Sequence, residues 1–202
     1  MSSLILASAS PRRQRLLEQL GLTFTVIAAA IEEQQWPGEL PHTYAMRMAQ
    51  EKAQHVAQQF PTALVLGADT IVRLDQDVLG KPQDVAQARQ MLQRLSGRAH
   101  TVITGLALVQ RSQGLQRLDA VSTQVVFRTL TESDIDTYLA TDEPFDKAGA
   151  YAIQGRAGAF VATLAGCYTN AVGLPLQRTA ALLRAAGLSV PTPPAHNAKS
   201  AW

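Results

Sequence analysis

The sequence predicts an α/β fold, a mixed sheet flanked by helices. Short apolar runs bounded by small residues alternate with longer stretches of helical periodicity, the pattern of strands and helices taken in turn. A hairpin signal at 71–79 and a pair of neighbouring strands within 100–127 add antiparallel pairing. The 202 residues are 47% hydrophobic and 17% charged, which suits one real core and argues against disorder. We therefore expect a single domain over residues 1–190. Residues 191–202, mostly Pro, Ala and polar, read as a flexible tail.

Leu4–Ala7 is a short apolar run and reads as a buried strand. Arg12–Leu20 reads as a helix with Leu16, Leu17 and Leu20 on one face and Gly21 as its stop. Phe24–Ile27 is a second strand, and Pro37-Gly38 marks a loop. His42–Phe60 is a longer helix whose apolar stripe runs through Met46, Ala49, Ala53, Val56 and Ala57. Ala63–Leu66 is a third buried strand, ending at Gly67-Ala68-Asp69-Thr70. Ile71–Leu74 and Val78-Leu79 form the hairpin around Asp75-Gln76-Asp77. Asp84–Leu95 is a helix with Asp84 as its N-cap. His100–Val109 and Ala120–Phe127 are strands parted by Ser112-Gln113-Gly114. Thr131, three residues before Asp134, opens a helix with an approximate capping box. Ala171–Ala186 is the last helix, closed by Gly187.

The net charge of +2 implies no general attraction to nucleic acid or to a membrane surface, so phosphate chemistry needs a local basic cluster. Cys167 is the only cysteine, which excludes an internal disulfide and a cysteine-based zinc site. It reads as a small buried or loop residue rather than a nucleophile, and a lone thiol fits a cytoplasmic protein. The first nine residues are apolar, but the arginines follow them, the reverse of a secretory signal. No segment has the ~20 apolar residues that span a bilayer.

Five segments are candidates for chemistry. Ser8-Ala9-Ser10-Pro11-Arg12-Arg13 lies where a strand hands over to a helix. Pro11 suits the first helical position, Ser10 can cap it, and the free N–H groups and arginines there suit a phosphate. The plain alternative is a capped surface helix with solvated arginines. Glu32-Glu33 is a loop pair that matters only if another carboxylate converges on it. Asp69 is expected at the carboxyl end of the sheet, where ligands bind in open α/β folds. There it pairs with a divalent cation or acts as a turn residue bonding its own backbone. Gly80-Lys81-Pro82 places a lysine stiffly but lacks the glycine spacing of a Walker A loop. In Glu143–Gly155, Asp146-Lys147 forms a salt bridge or lends a cation to a cleft, and Gln154 has both donor and acceptor for a base edge. His42, His55 and His100 are too scattered for a metal cluster, and His100 reads as structural.

In this order, these segments resemble the Maf family of nucleotide pyrophosphatases. The matching pieces are Ser-Ala-Ser-Pro-Arg-Arg at 8–13, Glu33, Gly-Ala-Asp-Thr at 67–70, Gly-Lys-Pro at 80–82, Ser-Gly-Arg-Ala-His at 96–100, Asp-Lys-Ala-Gly-Ala-Tyr-Ala-Ile-Gln-Gly at 146–155 and Asn-Ala-Val-Gly-Leu-Pro at 170–175. Ala171 stands where Val is usual. The resemblance implies two lobes around a deep cleft, a fold like that of inosine triphosphatases, a homodimer, and dependence on Mg²⁺ or Mn²⁺. It implies cleavage of a nucleoside triphosphate between its α and β phosphates. Asp69 is then the catalytic carboxylate and shares the metal with Glu33. Ser8, Arg12, Arg13, Lys52, Lys81 and Lys147 hold the triphosphate. Arg12, Thr70 and Gln154 occupy the specificity positions. Thr70 and Gln154 resemble the branch acting on dTTP and UTP, whereas the branch acting on 7-methyl-GTP typically has Gln and Glu there. The alternatives are that 7-methyl-GTP activity, or a non-catalytic nucleotide-binding regulator of cell division.

Overall fold

The computed structural model describes residues 3–191, so the expectation for the tail falls outside the described residues from 192 onward. The strands are β1 (Leu4–Leu6), β2 (Thr25–Val26), β3 (Leu64–Leu74), β4 (Asp77–Leu79), β5 (Ala99–Gln110), β6 (Leu115–Phe127) and β7 (Val161–Ala165). The helices are α1 (Pro11–Glu18), α2 (Pro41–Gln59), α3 (Val85–Leu95), α4 (Glu132–Leu139), α5 (Tyr168–Val172) and α6 (Leu176–Ala185). One mixed sheet runs β2-β1-β3-β5-β6-β7, with β4 paired to β3. β1 is parallel to β2 and β3, and the other pairs are antiparallel. The α/β expectation is correct.

Side-chain alternation divides the core into two layers. Leu4, Leu6, Leu64, Leu66, Ala68 and Val72 face α1, α3, α4 and α6 through Leu17, Leu92, Ile135 and Leu183. Ile5, Val65, Ala107 and Val109 face α2 through Ala49, Ala53, Val56 and Ala57, and Ile71 and Ile103 do so through Tyr44, Ala45 and Met48. The α2 layer is very thin. A Cβ added at Gly67 would lie 2.1 Å from the Ala49 carbonyl oxygen, and one at Gly105 would lie 2.2 Å from that of Ala45. Glycine in the sheet and alanine on the helix let the two backbones touch.

The structure revises four readings. Gly67-Ala68-Asp69-Thr70 does not end a strand: β3 continues to Leu74, because these residues pair with Thr104–Ala107 of β5. The last helix is two, since Gly173 (φ 126°) and Pro175 interrupt it after Val172. Ser10 occupies the N-cap position of α1 without bonding it; its N–H instead donates to the Ser8 Oγ at 3.2 Å. Residues 156–165, unassigned in the sequence reading, form a 3₁₀ turn and β7, which adds an edge strand to β6. Asp84 does cap α3, accepting from the Gln87 N–H at 2.7 Å. Thr131 and Asp134 form the reciprocal capping box of α4.

His100 is structural, as expected. It is buried, bonds the Tyr151 hydroxyl at 2.7 Å and stacks edge-on against Phe127. Burial disfavours its charged form and pushes its pKa from 6.5 down to about 4. Between those values the unfolded chain binds a proton that the folded chain refuses. Stability is therefore complete above about pH 6.5 and is lost as pH falls toward 4, by about 2 kcal/mol at pH 5 from this residue. His100→Gln, which keeps a polar partner for Tyr151 but cannot titrate, is expected to flatten that part of the profile. Denaturant midpoints at pH 7 and pH 5 test this; equal pH dependence in both proteins would contradict it.

Candidate active site

The site begins as a gap in a sheet edge. β1 covers β3 only at Leu64–Leu66, and β4 covers it only at Val72–Leu74. Both lie on the edge away from β5, so residues 67–71 carry no strand there. The chain leaves β1 at this level: the Ala7 N–H bonds the Leu66 carbonyl, and Ser8 turns away toward α1. Asp69 thus sits mid-strand in β3 yet at the carboxyl end of the parallel part of the sheet. Its side chain points toward α2 and that of Thr70 to the opposite face, and both line one cleft of about 590 Å³.

All ten residues to which the resemblance gives a role line this cleft: Ser8, Arg12, Arg13, Glu33, Lys52, Asp69, Thr70, Lys81, Lys147 and Gln154. The loop after β2 brings Glu33, α2 brings Lys52, β3 brings Asp69 and Thr70, the turn after β4 brings Lys81, and the segment after α4 brings Lys147 and Gln154. Two contacts tie the cleft walls together. Arg12 pairs with Asp146 at 3.6 Å, and the Gly149 N–H donates to the Gly80 carbonyl at 3.0 Å.

At the centre, the Lys52 ammonium lies 2.6 Å from Glu33 Oε1 and 2.6 Å from Asp69 Oδ1. Lys52 and Asp69 are both buried, a costly arrangement for charges unless they pair. Burial works to raise the Glu33 carboxyl. The hydrogen bond and charge of Lys52, with the charges of Lys81 and Arg13, outweigh it and hold the group below its ordinary value.

Arg13 is engaged by its own chain. Its Nε donates to the Gly173 carbonyl at 2.9 Å, its Nη1 to Ser8 Oγ at 3.2 Å and its Nη2 to Thr70 Oγ1 at 3.0 Å. Burial lowers its pKa, against the raising influence of Asp69. Thr70 is also held by Thr104, with the hydroxyls 3.0 Å apart, and Thr104 in turn donates to the Asn170 carbonyl at 3.2 Å. The sequence reading did not pick out Thr104, Tyr44 or Tyr151. Thr104 lies directly across the ladder from Thr70, a pairing that becomes visible only once the strand register is known.

A family model described as "Maf-like protein" matches residues 3–186. The chain is 52% identical over 190 residues to the dTTP/UTP pyrophosphatase of Anaeromyxobacter dehalogenans (strain 2CP-C), covering 93% of this chain and 96% of that protein. It is 54% identical over 184 residues to the dTTP/UTP pyrophosphatase of Escherichia coli (strain K12), covering 91% and 92%. Among solved structures it is similar to a HAM1 protein from Coxiella burnetii, at 19% identity and a TM-score of 0.44 over 63% of this chain and 73% of that one.

Proposed function

The chain belongs to the family of Maf-like proteins, and from that premise we propose that it hydrolyses dTTP and UTP to the monophosphate and pyrophosphate. One observation carries the reading: two carboxylates, Glu33 and Asp69, flank one cation in a cleft that also gathers Arg12, Arg13, Lys81 and Lys147. A triphosphate carries several negative charges, and such a ring of cations offsets them.

Glu33 and Asp69 suit a divalent cation. They offer hard oxygen donors converging on a point that already holds the positive charge of Lys52. Among the described residues no three His, Cys, Asp or Glu side chains group as a metal site, so substrate phosphates and water would complete the coordination. Mg²⁺ or Mn²⁺ bound there would offset charge on the phosphate oxygens and favour deprotonation of water.

The chain's own groups account for the remaining chemistry. Water attacks the α phosphorus in line; the bond to the bridging oxygen breaks, and pyrophosphate leaves. Asp69 accepts the water's proton, and Lys52 holds Asp69 toward the cleft at 2.6 Å. Arg12, Lys81 and Lys147 bind the phosphates, helped by the N-terminus of α1, which no side chain caps. Arg13 adds its charge while its donors fix Ser8 and Thr70. Gln154, an exposed residue of the cleft lining, reads the base edge, with Arg12 and Thr70 as the other two specificity residues. No helix among the described residues is long and apolar enough to cross a membrane. The homodimer rests on the family resemblance, and the cytoplasmic setting on the lone thiol Cys167.

A nucleotide panel read by pyrophosphate release, with Mg²⁺ and with Mn²⁺, tests this. We expect dTTP and UTP to be cleaved at least roughly 10-fold more efficiently than 7-methyl-GTP. A preference for 7-methyl-GTP would overturn the substrate assignment. No release from any nucleotide would favour the regulator.

A further inference from the structure

Residues 27–40, which carry Glu33, contain no helix or strand. A 14-residue connection without secondary structure has to be held by side chains if it is to place a carboxylate. Apolar anchors hold its first part: Ile27 and Ala29 pack on the layer beneath α2, and Ile31 packs against the cluster of Tyr44, Ala45, Met48, Ile71 and Ile103. Beyond Glu33 the loop converges on one residue of α2, Arg47. Its Nη2 donates to the Gln34 carbonyl at 2.8 Å and to Glu39 Oε2 at 2.6 Å, and its Nε donates to Glu39 Oε1 at 2.7 Å. Its guanidinium lies 3.8 Å from the centre of the Trp36 ring. Glu51, one helical turn on, steadies it from behind at 3.0 Å. The pair is part-buried, with the Arg47 side chain 13% exposed and that of Glu39 5%. Such a two-pronged, part-buried ion pair holds geometry in a way that fully exposed pairs do not.

We propose that Arg47 is a positioning residue for the reaction: by clamping Gln34, Trp36 and Glu39, it holds the loop where Glu33 faces Lys52 and Asp69. The inference rests on Glu33 acting in metal binding, as proposed above. Arg47 and Lys52 are five residues apart on one helix, so α2 grips the loop at two adjacent points, the Glu33 carboxylate and the carbonyl of the next residue, Gln34. Only a planar fork can bond Glu39 through two nitrogens and a backbone carbonyl together, which separates arginine from lysine here.

The test compares Arg47→Ala, Arg47→Lys, Glu33→Gln and the Arg47→Ala/Glu33→Gln double variant. Amide exchange on the metal-free protein is expected to speed up over residues 28–40 in Arg47→Ala while the core strands keep their protection. Mn²⁺ binding without nucleotide, and the Mn²⁺ dependence of pyrophosphate release, are expected to weaken by roughly 10- to 100-fold, the usual cost of losing a ligand's support. Arg47→Lys should fall between Arg47→Ala and the parent. If Arg47→Ala does not fold, Arg47→Lys decides by the same readouts. The double variant should match Glu33→Gln alone, because the clamp acts through Glu33. Parent-like Mn²⁺ binding in Arg47→Ala, or losses that multiply in the double variant, would overturn the clamp while leaving the role of Glu33 intact. An unaltered Glu33→Gln would overturn both.

Discussion

Asp69→Asn is expected to lower the turnover of dTTP by roughly 10²-fold or more while the protein stays folded. The change is nearly isosteric, and an amide oxygen can still accept from Lys52, now at 2.6 Å from the carboxylate. Lys52 also keeps Glu33 as a counter-charge. What disappears is the ability to take a proton from water and half of the carboxylate pair proposed for the metal. The loss should therefore appear in kcat, and the Mn²⁺ dependence should shift with it. Initial-rate pyrophosphate release on purified protein, paired with thermal unfolding, gives the answer. Near-parent turnover would remove Asp69 from the chemistry.

Gly105→Ala is expected to cost about 3 kcal/mol of stability and to depress activity with it. Gly105 lies across the ladder from Asp69. A Cβ there would stand 2.2 Å from the Ala45 oxygen, 2.4 Å from its carbon and 2.6 Å from the Met46 nitrogen. These are backbone atoms within a helix and cannot swing aside as a side-chain tip can. Relief requires α2 to lift from the sheet, and α2 carries both Lys52 and Arg47. For a domain of this size the unfolding midpoint should drop by roughly 6–12 °C. The separation of Lys52 from Asp69 should lower kcat in the protein that remains folded. An unchanged midpoint would show that the helix has room to spare.

Much of the fold was legible because its signals are local. Leu4–Leu6 and Leu64–Leu66 are apolar runs of strand length, and α2 and α3 have clear stripes and starts. Thr131 and Asp134 sit at capping-box spacing, and the structure forms that box. The misreadings have nonlocal causes. Gly67–Thr70 has the composition of a turn, yet pairing with β5 keeps it extended. Ser10 has the chemistry of a cap, but the N–H of Ser10 and the guanidinium of Arg13 both turn to Ser8. The break at Gly173-Leu174-Pro175 was visible in the residues and was overrun by the helical periodicity around it.

The sequence by itself determined the class of fold, the family through its ordered motifs, and the list of polar residues that end up in one cleft. Those are properties of residue type and order, written locally along the chain. Only the tertiary structure decided how those residues are used. Lys52 stands between Glu33 and Asp69 because α2 touches the sheet at two glycines. Thr70 is fixed by Thr104, which strand register places opposite it, and by Arg13, which α1 brings to it. The loop bearing Glu33 is held from a neighbouring helix by Arg47, an ordinary basic residue in the one-dimensional pattern. The physical reason is range: propensity and periodicity act over a few residues, whereas the pairing of buried charges depends on which backbones approach each other, and packing alone sets that.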